Sequence, residues 1–115
     1  MPRRELLLLG EMIDAAEQAT RLVAGLEVES LTHDRQRRDA LLWNFTVLGE
    51  AASQLPESVK QAHPEVRWSR PSQLRNRIVH GYWSVDLEVL VATAVDDLQG
   101  FVAELRKVAA EISDG

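Results

Sequence analysis

The chain has 115 residues, of which 45% are hydrophobic and 27% charged, and it contains no cysteine. The lack of cysteine excludes a disulfide framework and a thiolate metal site. The net charge of −5 argues against a protein that coats nucleic acid without sequence preference. The length and the composition are those of one globular domain, so we expect residues 1–115 to form a single unit.

The apolar runs are short. No unbroken run is longer than the four residues 6–9, whereas a membrane-spanning helix needs about 20 apolar residues. The first residues lead directly into a helical pattern, without the apolar region and cleavage site of a signal peptide. We therefore expect a cytoplasmic protein that has no membrane partner.

Helical spacing of apolar residues dominates the first half of the chain. A stripe with steps of three and four residues runs from Leu9 to Leu26 and predicts a first amphipathic helix, which ends around Gly25. Thr32 is suited to cap a second helix, which Pro56 would end. The stripe of this second helix consists of Leu41, Phe45, Leu48, Ala52 and Leu55.

Proline and glycine divide the middle of the chain. Pro56 also favours the start of a short helix over residues 57–61, which His63 and the proline after it would close. Ser69 begins another helical segment, which runs towards Gly81. The pattern thus predicts one short and one medium helix here.

The last helix is predicted to begin near Ser84 and to carry the longest apolar stripe. Short connections place neighbouring helices antiparallel. We therefore predict an all-α fold, an antiparallel up-and-down bundle of four to five helices. The stripe consists of Leu87, Val91, Ala94, Leu98, Phe101, Leu105, Val108 and Ile112.

Positive charge is concentrated in one segment. Residues 66–85 hold four arginines and no acidic residue, while the rest of the chain holds all 18 acidic residues. This distribution favours a local anion site over a broad basic surface, although arginines on a solvated helix face would give the same pattern. A second cluster, Arg35, Arg37 and Arg38, is either a set of RNA backbone contacts or a solvated face.

Residues 73–83 depart from an ordinary surface helix because they combine several groups able to bind an anion or move a proton. Histidine can act as acid or base near neutral pH, and arginine can stabilise charge on a phosphate. These are the requirements of metal-free RNA cleavage. His80 could instead cap the carbonyl groups at a helix C-terminus.

The spacing within this segment bears on how many copies form a site. Asn76 and His80 share one helix face, whereas Arg75 and His80 are about 140° apart on a regular helix. Both can contact one ligand only if the arginine side chain extends around the helix, the helix end is distorted, or a second copy of the chain takes part. A two-fold dimer would supply two histidines across one interface.

Residues 75–82, with the sequence RNRIVHGY, resemble the R-x(4)-H-x-Y motif of the HepT-like HEPN-domain ribonuclease toxins. Residues 44–52, NFTVLGEAA, are similar to the helix that precedes the motif in that family. Residues 85–88 also resemble it, so the similarity covers essentially the whole chain.

The resemblance implies a helical bundle that forms a homodimer and cleaves RNA without a metal, leaving a 2′,3′-cyclic phosphate. It implies that Arg75 and His80 are the catalytic pair, that Asn76 supports them, and that no cofactor is needed. It also implies a partner, a nucleotidyltransferase antitoxin of the MNT type, which adenylylates Tyr82.

Other residues have both structural and functional interpretations. A buried carboxylate at Glu50 would need a partner, such as an arginine of the motif segment, and Gly49 suggests close helix packing. Arg70 and Arg77 are candidate RNA contacts or solvated charges. The aromatic side chains of Trp43, Tyr82 and Trp83 are candidates for the core or for an interface, and His33 and His63 are too isolated in the sequence to predict a metal site.

Two alternatives to the ribonuclease hypothesis are a non-catalytic HEPN-fold subunit that binds a nucleotidyltransferase and a helical scaffold in which the motif is incidental. The presence of Arg75, His80 and Tyr82 together favours the enzyme, because a binding subunit has no chemical need for all three.

Overall fold

The computed structural model describes residues 3–114, so the predicted domain bounds at residues 1 and 115, and the N-terminal Met1 and Pro2, lie outside the described residues. The described part is helical and contains no strand, which confirms the predicted all-α class. It consists of α1 (Arg3–Val23), α2 (Val28–His33), α3 (Arg35–Gln54), α4 (Glu57–Ala62), α5 (Ser69–His80), a 3₁₀ turn (Tyr82–Ser84), α6 (Leu87–Asp96) and α7 (Leu98–Asp114).

Helix α3 lies at the centre of the fold, between α1 and α5, and α1 also packs on α6 and α7. The predicted stripe of α3 is buried throughout, and Phe45 and Leu48 are among the largest buried side chains. These helices enclose one continuous apolar core. None of the helices within residues 3–114 has the length and apolar character needed to cross a membrane.

The start of α3 differs from the prediction. Thr32 does not cap it, because residue 32 lies inside the additional short helix α2. Asp34 is the cap instead, and its carboxylate accepts a hydrogen bond from the backbone N–H of Arg37 at 3.1 Å. A carboxylate also interacts favourably with the positive end of the helix dipole. Gly25 has a φ of +67° and turns the chain after α1, so Leu26 leaves the helix that the stripe predicted.

The predicted single C-terminal helix is two helices, so the expected number of four to five was too low. The break is the single residue Asp97, with φ −111° and ψ −34°. Backbone hydrogen bonds from Asp97 to Thr93 and from Phe101 to Asp97 continue across it, at 2.9 and 3.1 Å. The apolar spacing therefore passes through the break unchanged, and periodicity cannot detect it. The second helix of the pair starts two residues after α6 ends.

Helices α3 and α5 approach closely at Gly49. A Cβ at this position would overlap the backbone carbonyl oxygen of Pro71 and the Cβ of Arg75. The hydroxyl of Ser72 donates to the Gly49 carbonyl at 3.3 Å. The predicted close packing at Gly49 is therefore present, and it sets the distance between the two helices.

We predict that Gly49→Ala lowers the free energy of unfolding by about 1–3 kcal/mol, because the new methyl group must displace backbone of α5. Urea unfolding would measure the loss. The matched control is Gly10→Ala in α1, where an added Cβ meets nothing within 4 Å. This control should gain about 0.5–1 kcal/mol, since alanine is the better helix former. Equal behaviour of the two variants would contradict the close contact.

Candidate functional site

The end of α5 places the motif residues. The helix runs regularly from Ser69 to His80 and ends at Gly81. The Ser84 backbone N–H and hydroxyl then both donate to the Gly81 carbonyl, at 2.9 and 3.0 Å. A Cβ on Gly81 would lie 2.7 Å from the Ser84 hydroxyl oxygen. The tight 3₁₀ turn that follows carries Tyr82 off the helix and back towards α3.

Arg75 faces α3, where its guanidinium lies 3.4 Å from a carboxylate oxygen of Glu50. Glu50 is not the buried carboxylate that the sequence suggested: its side chain is 51% exposed. Its neighbour Gly49 is the residue that faces the α5 backbone. Gln54 donates to the other Glu50 oxygen at 3.1 Å and accepts from Arg4 at 3.2 Å. The polar network thus connects Arg75 through α3 to α1.

The Arg75 side chain is only partly exposed, and its Nε is buried without an acceptor among residues 3–114. A buried donor without an acceptor is unfavourable, so the arginine is not held by ideal hydrogen bonds. It is held by the Gly49 contact with its Cβ and by the Glu50 charge. The position of its stem is therefore fixed more firmly than that of its guanidinium.

Tyr82 makes a hydrogen bond that the sequence analysis did not predict: its phenolic hydroxyl donates to the carboxylate of Asp39, near the start of α3. The Nε of Arg35 lies 3.4 Å from this carboxylate, and that of Arg38 lies 3.9 Å away. The hydrogen bond to Asp39 raises the pKa of Tyr82, and the bond from Tyr82 lowers the pKa of Asp39. The two residues are 43 positions apart, and no local pattern connects them.

The cluster of three arginines on α3 divides into two functions. Arg37 donates to the carbonyl of Leu22 at 3.1 Å and lies 3.4 Å from Asp34, so it joins α3 to the end of α1. Arg35 and Arg38 instead flank Asp39. Only these two are therefore placed near Tyr82.

The side chains of the motif do not meet at one place within a single protomer. Arg75 contacts α3 at Glu50 and Tyr82 contacts it at Asp39, eleven residues away, which is about 16 Å of helix. His80 and Asn76 are exposed on α5. Because α5 is a regular helix up to its last residue, the separation of about 140° between Arg75 and His80 persists.

Arg70 and Arg77 lie on the opposite side of α5 from Arg75. They line a groove of about 840 Å³ between α5 and the pair α6–α7. The lining of this groove includes the apolar side chains of Leu74 and Phe101 and also several acidic residues. These acids would repel a phosphate backbone, and the two candidate RNA contacts lie on a different side of α5 from Arg75. The acidic residues are Glu65, Asp96, Asp97 and Glu104.

An exposed apolar face lies beside Arg75. Trp43 is 66% exposed and, with Val79, borders a shallow groove of about 290 Å³ formed by α1, α3 and α5. Arg75 and Glu50 line the same groove. Trp83, on the 3₁₀ turn, is 90% exposed. Neither tryptophan belongs to the core, and exposed apolar patches of this kind mark interaction surfaces.

Within residues 3–114, no cluster of three or more histidine, aspartate or glutamate side chains is arranged to hold a metal ion. His63, which the sequence left isolated, lies between Glu65 and Glu111 at 3.6 and 3.4 Å. These contacts join the segment before α5 to the end of α7.

Comparison with known families agrees with the motif. The family described as ribonuclease HepT-like matches residues 12–108, which include α3, α5 and the turn that follows. The chain belongs to the HepT-like ribonuclease family. Its recognition from residues 75–82 and 44–52 is confirmed.

Curated relatives cover nearly the whole chain. A protein of Thermococcus cleftensis named "Probable ribonuclease HepT" is 30% identical over 86% of this chain and 90% of its own length. A protein of Methanocaldococcus jannaschii and one of Caldanaerobacter subterraneus, whose names propose an RNase, are 20% and 24% identical. The first alignment covers 97% of this HepT-like chain and 93% of the relative. The second covers 90% of this chain and 89% of the relative. No solved structure gives a significant match.

We predict that Asp39→Asn lowers the pKa of the Tyr82 phenol towards the ordinary tyrosine value of about 10. The present carboxylate favours the protonated phenol, and the neutral amide favours it less. Tyr82 is the only tyrosine of the chain, so alkaline titration of tyrosinate absorbance reports this residue alone. Asp14→Asn, on α1, is the control and should leave the titration unchanged. An unchanged titration in Asp39→Asn would contradict the hydrogen bond.

Proposed function

We propose that this HepT-like chain is the toxin of a toxin–antitoxin pair, a metal-independent endoribonuclease that acts as a homodimer. We further propose that a nucleotidyltransferase antitoxin silences it by adenylylating Tyr82. One observation carries the proposal: the family motif combines an exposed histidine at a helix end with an arginine that Glu50 and Gly49 hold in place. The exposed apolar face beside that arginine supports the dimer.

The reaction needs two proton transfers. A base takes the proton of the ribose 2′-hydroxyl, whose oxygen attacks the phosphorus, and an acid protonates the departing 5′-oxygen. The products are a 2′,3′-cyclic phosphate and a 5′-hydroxyl end. In a dimer, the neutral His80 of one protomer would take the 2′-hydroxyl proton and, once protonated, give a proton to the departing 5′-oxygen, while Arg75 of the other protomer stabilises the charge that grows on the phosphate.

The separation of the motif residues within one protomer supports a site made by two copies. In one protomer, Arg75 and His80 point in directions about 140° apart on the same helix. A second copy packed on the face of Trp43 and Val79 would lie next to Arg75. In an isologous interface, each site would then take its arginine from one protomer and its histidine from the other.

Adenylylation is chemically suited to silence such a site. Tyr82 is 42% exposed, so a partner enzyme can approach this residue from solvent. A transferred adenylyl group brings a negative phosphate and a large base two residues from His80. Both would compete with an RNA phosphate by charge repulsion and by volume.

We predict that the purified protein cleaves RNA in the presence of EDTA and that His80→Ala lowers the rate by at least about 100-fold, through loss of acid–base catalysis. Cleavage of a labelled RNA, with the intact mass recorded on the same sample, is the measurement. His33→Ala, an exposed histidine at the end of α2, is the matched control and should retain full activity.

The other outcomes are also decisive. Cleavage that EDTA abolishes would refute metal independence. Absence of cleavage by protein of unmodified mass would favour the alternative function, a non-catalytic subunit that binds a nucleotidyltransferase. Absence of cleavage by protein carrying an additional adenylyl group would show the toxin in its silenced form.

We predict that mixing Arg75→Ala and His80→Ala protomers restores activity that neither variant has alone. After exchange, about half of the dimers are mixed, and each mixed dimer has one intact site if the two residues come from different protomers. The recovered rate should therefore approach about a quarter of the wild-type rate. No recovery, despite mixed dimers detected by native mass spectrometry, would place both residues of a site in one protomer.

The same experiment tests the dimer face. Trp43→Glu, introduced into both variants, should prevent the recovery and shift the protein to a monomer in analytical ultracentrifugation. Val95→Glu is the matched control, because Val95 is also exposed but lies on α6, away from α3 and α5. Recovery that survives Trp43→Glu would place the dimer interface elsewhere.

A further inference from the structure

Tyr82 is surrounded by a set of charged residues to which the ribonuclease mechanism proposed above assigns no proton transfer. Its hydroxyl donates to Asp39, and that carboxylate also accepts a hydrogen bond from Arg35 at 3.4 Å. Arg38 lies 3.9 Å from the oxygen that accepts the phenol. Arg38 and Asp39 follow Arg35 by three and four positions, so both lie on the side of α3 that Arg35 faces.

These residues match what nucleotidyl transfer to a phenol requires. The phenolic oxygen must lose its proton as it bonds to phosphorus, and a carboxylate already accepts that proton in a hydrogen bond. The incoming phosphate is an anion, and the Arg35 side chain is 81% exposed and free to turn towards it. Asp39 is part exposed, so the proton can pass on to water.

We propose that Asp39 is the proton acceptor for modification of Tyr82 and that Arg35 binds the phosphate that is transferred. This inference rests on the proposed adenylylation, and it names residues of the target chain itself as participants. The donor is a nucleoside triphosphate held by the partner transferase.

The step balances as follows. The Tyr82 oxygen attacks the α-phosphorus, and an oxygen–phosphorus bond forms. The bond from the α-phosphorus to the oxygen that bridges to the β-phosphate breaks, and pyrophosphate leaves with the electron pair. The phenolic proton passes to an oxygen of Asp39 and then to solvent, so the product is a phosphodiester with one negative charge.

A structural function of the Asp39 hydrogen bond makes the opposite prediction. If the carboxylate only holds the phenol, its removal lowers the pKa of Tyr82 and makes the oxygen more reactive. If Asp39 takes the proton, its removal makes the oxygen less reactive at neutral pH. The direction of the change therefore separates the two functions.

The test that needs no partner is phosphorylation of Tyr82 by diisopropyl fluorophosphate, a neutral reagent that loses fluoride. The rate at neutral pH is measured by peptide mass spectrometry. We expect Asp39→Asn and Asp39→Ala to slow labelling at least tenfold and Asp39→Glu to restore part of it, while Asp14→Asn labels at the wild-type rate. Labelling of Asp39→Asn that is equal or faster would overturn the proposal.

The second test uses ATP and a purified nucleotidyltransferase of the MNT type. The wild type should gain adenylyl mass at Tyr82, Asp39→Asn should gain it at least tenfold more slowly, and Arg35→Gln should be slower than Arg35→Lys. Equal rates in Asp39→Asn and wild type would overturn the inference about Asp39. Equal rates in Arg35→Gln and Arg35→Lys would overturn the inference about Arg35. A wild type that gains no mass would refute the proposed adenylylation, whereas the fluorophosphate result would still decide whether Asp39 takes the proton.

Discussion

The contact between α3 and α5 at Gly49 is the constraint on which the candidate site depends. Because this residue has no side chain, the carbonyl oxygen of Pro71 and the Cβ of Arg75 can lie directly against the α3 backbone. The contact fixes both the distance and the register of the two helices. The register then decides which α3 side chain meets each residue of α5, and it brings Arg75 beside Glu50 rather than beside a neighbour one turn away.

The same register places two separate contacts of the motif segment at different points of α3. Helices α3 and α5 run antiparallel, so the chain that continues past His80 reaches the start of α3, while Arg75 lies near its end. About 16 Å of α3 separates the Glu50 contact from the Asp39 contact. The proposed RNA cleavage and the proposed tyrosine modification would therefore use different residues of α3 and yet affect each other, because both would act on the short segment between Arg75 and Tyr82.

Much of this arrangement follows from local sequence, and the part that does not has physical reasons. The bounds of α5 were predicted, because proline and glycine bound the helix. A pairing of Glu50 with an arginine of the motif segment was also predicted, because a carboxylate on an apolar helix needs a cation, and the structure identifies that arginine as Arg75. The single-residue break at Asp97 was not predicted, since it leaves the apolar spacing unchanged. The hydrogen bond from Tyr82 to Asp39 was also missed, because it depends on the register of two helices and not on any spacing within one.

The charges around Tyr82 imply that the proposed modification would change more than the volume of this residue. The unmodified phenol donates a hydrogen bond to Asp39, but a phosphodiester oxygen can only accept one. The new negative charge would also repel the Asp39 carboxylate and attract Arg35 and Arg38, which now neutralise that carboxylate. The modified side chain should therefore leave Asp39 and turn towards the two arginines. Because only Gly81 separates Tyr82 from His80, that movement would be transmitted directly to the end of α5, where the candidate catalytic histidine lies.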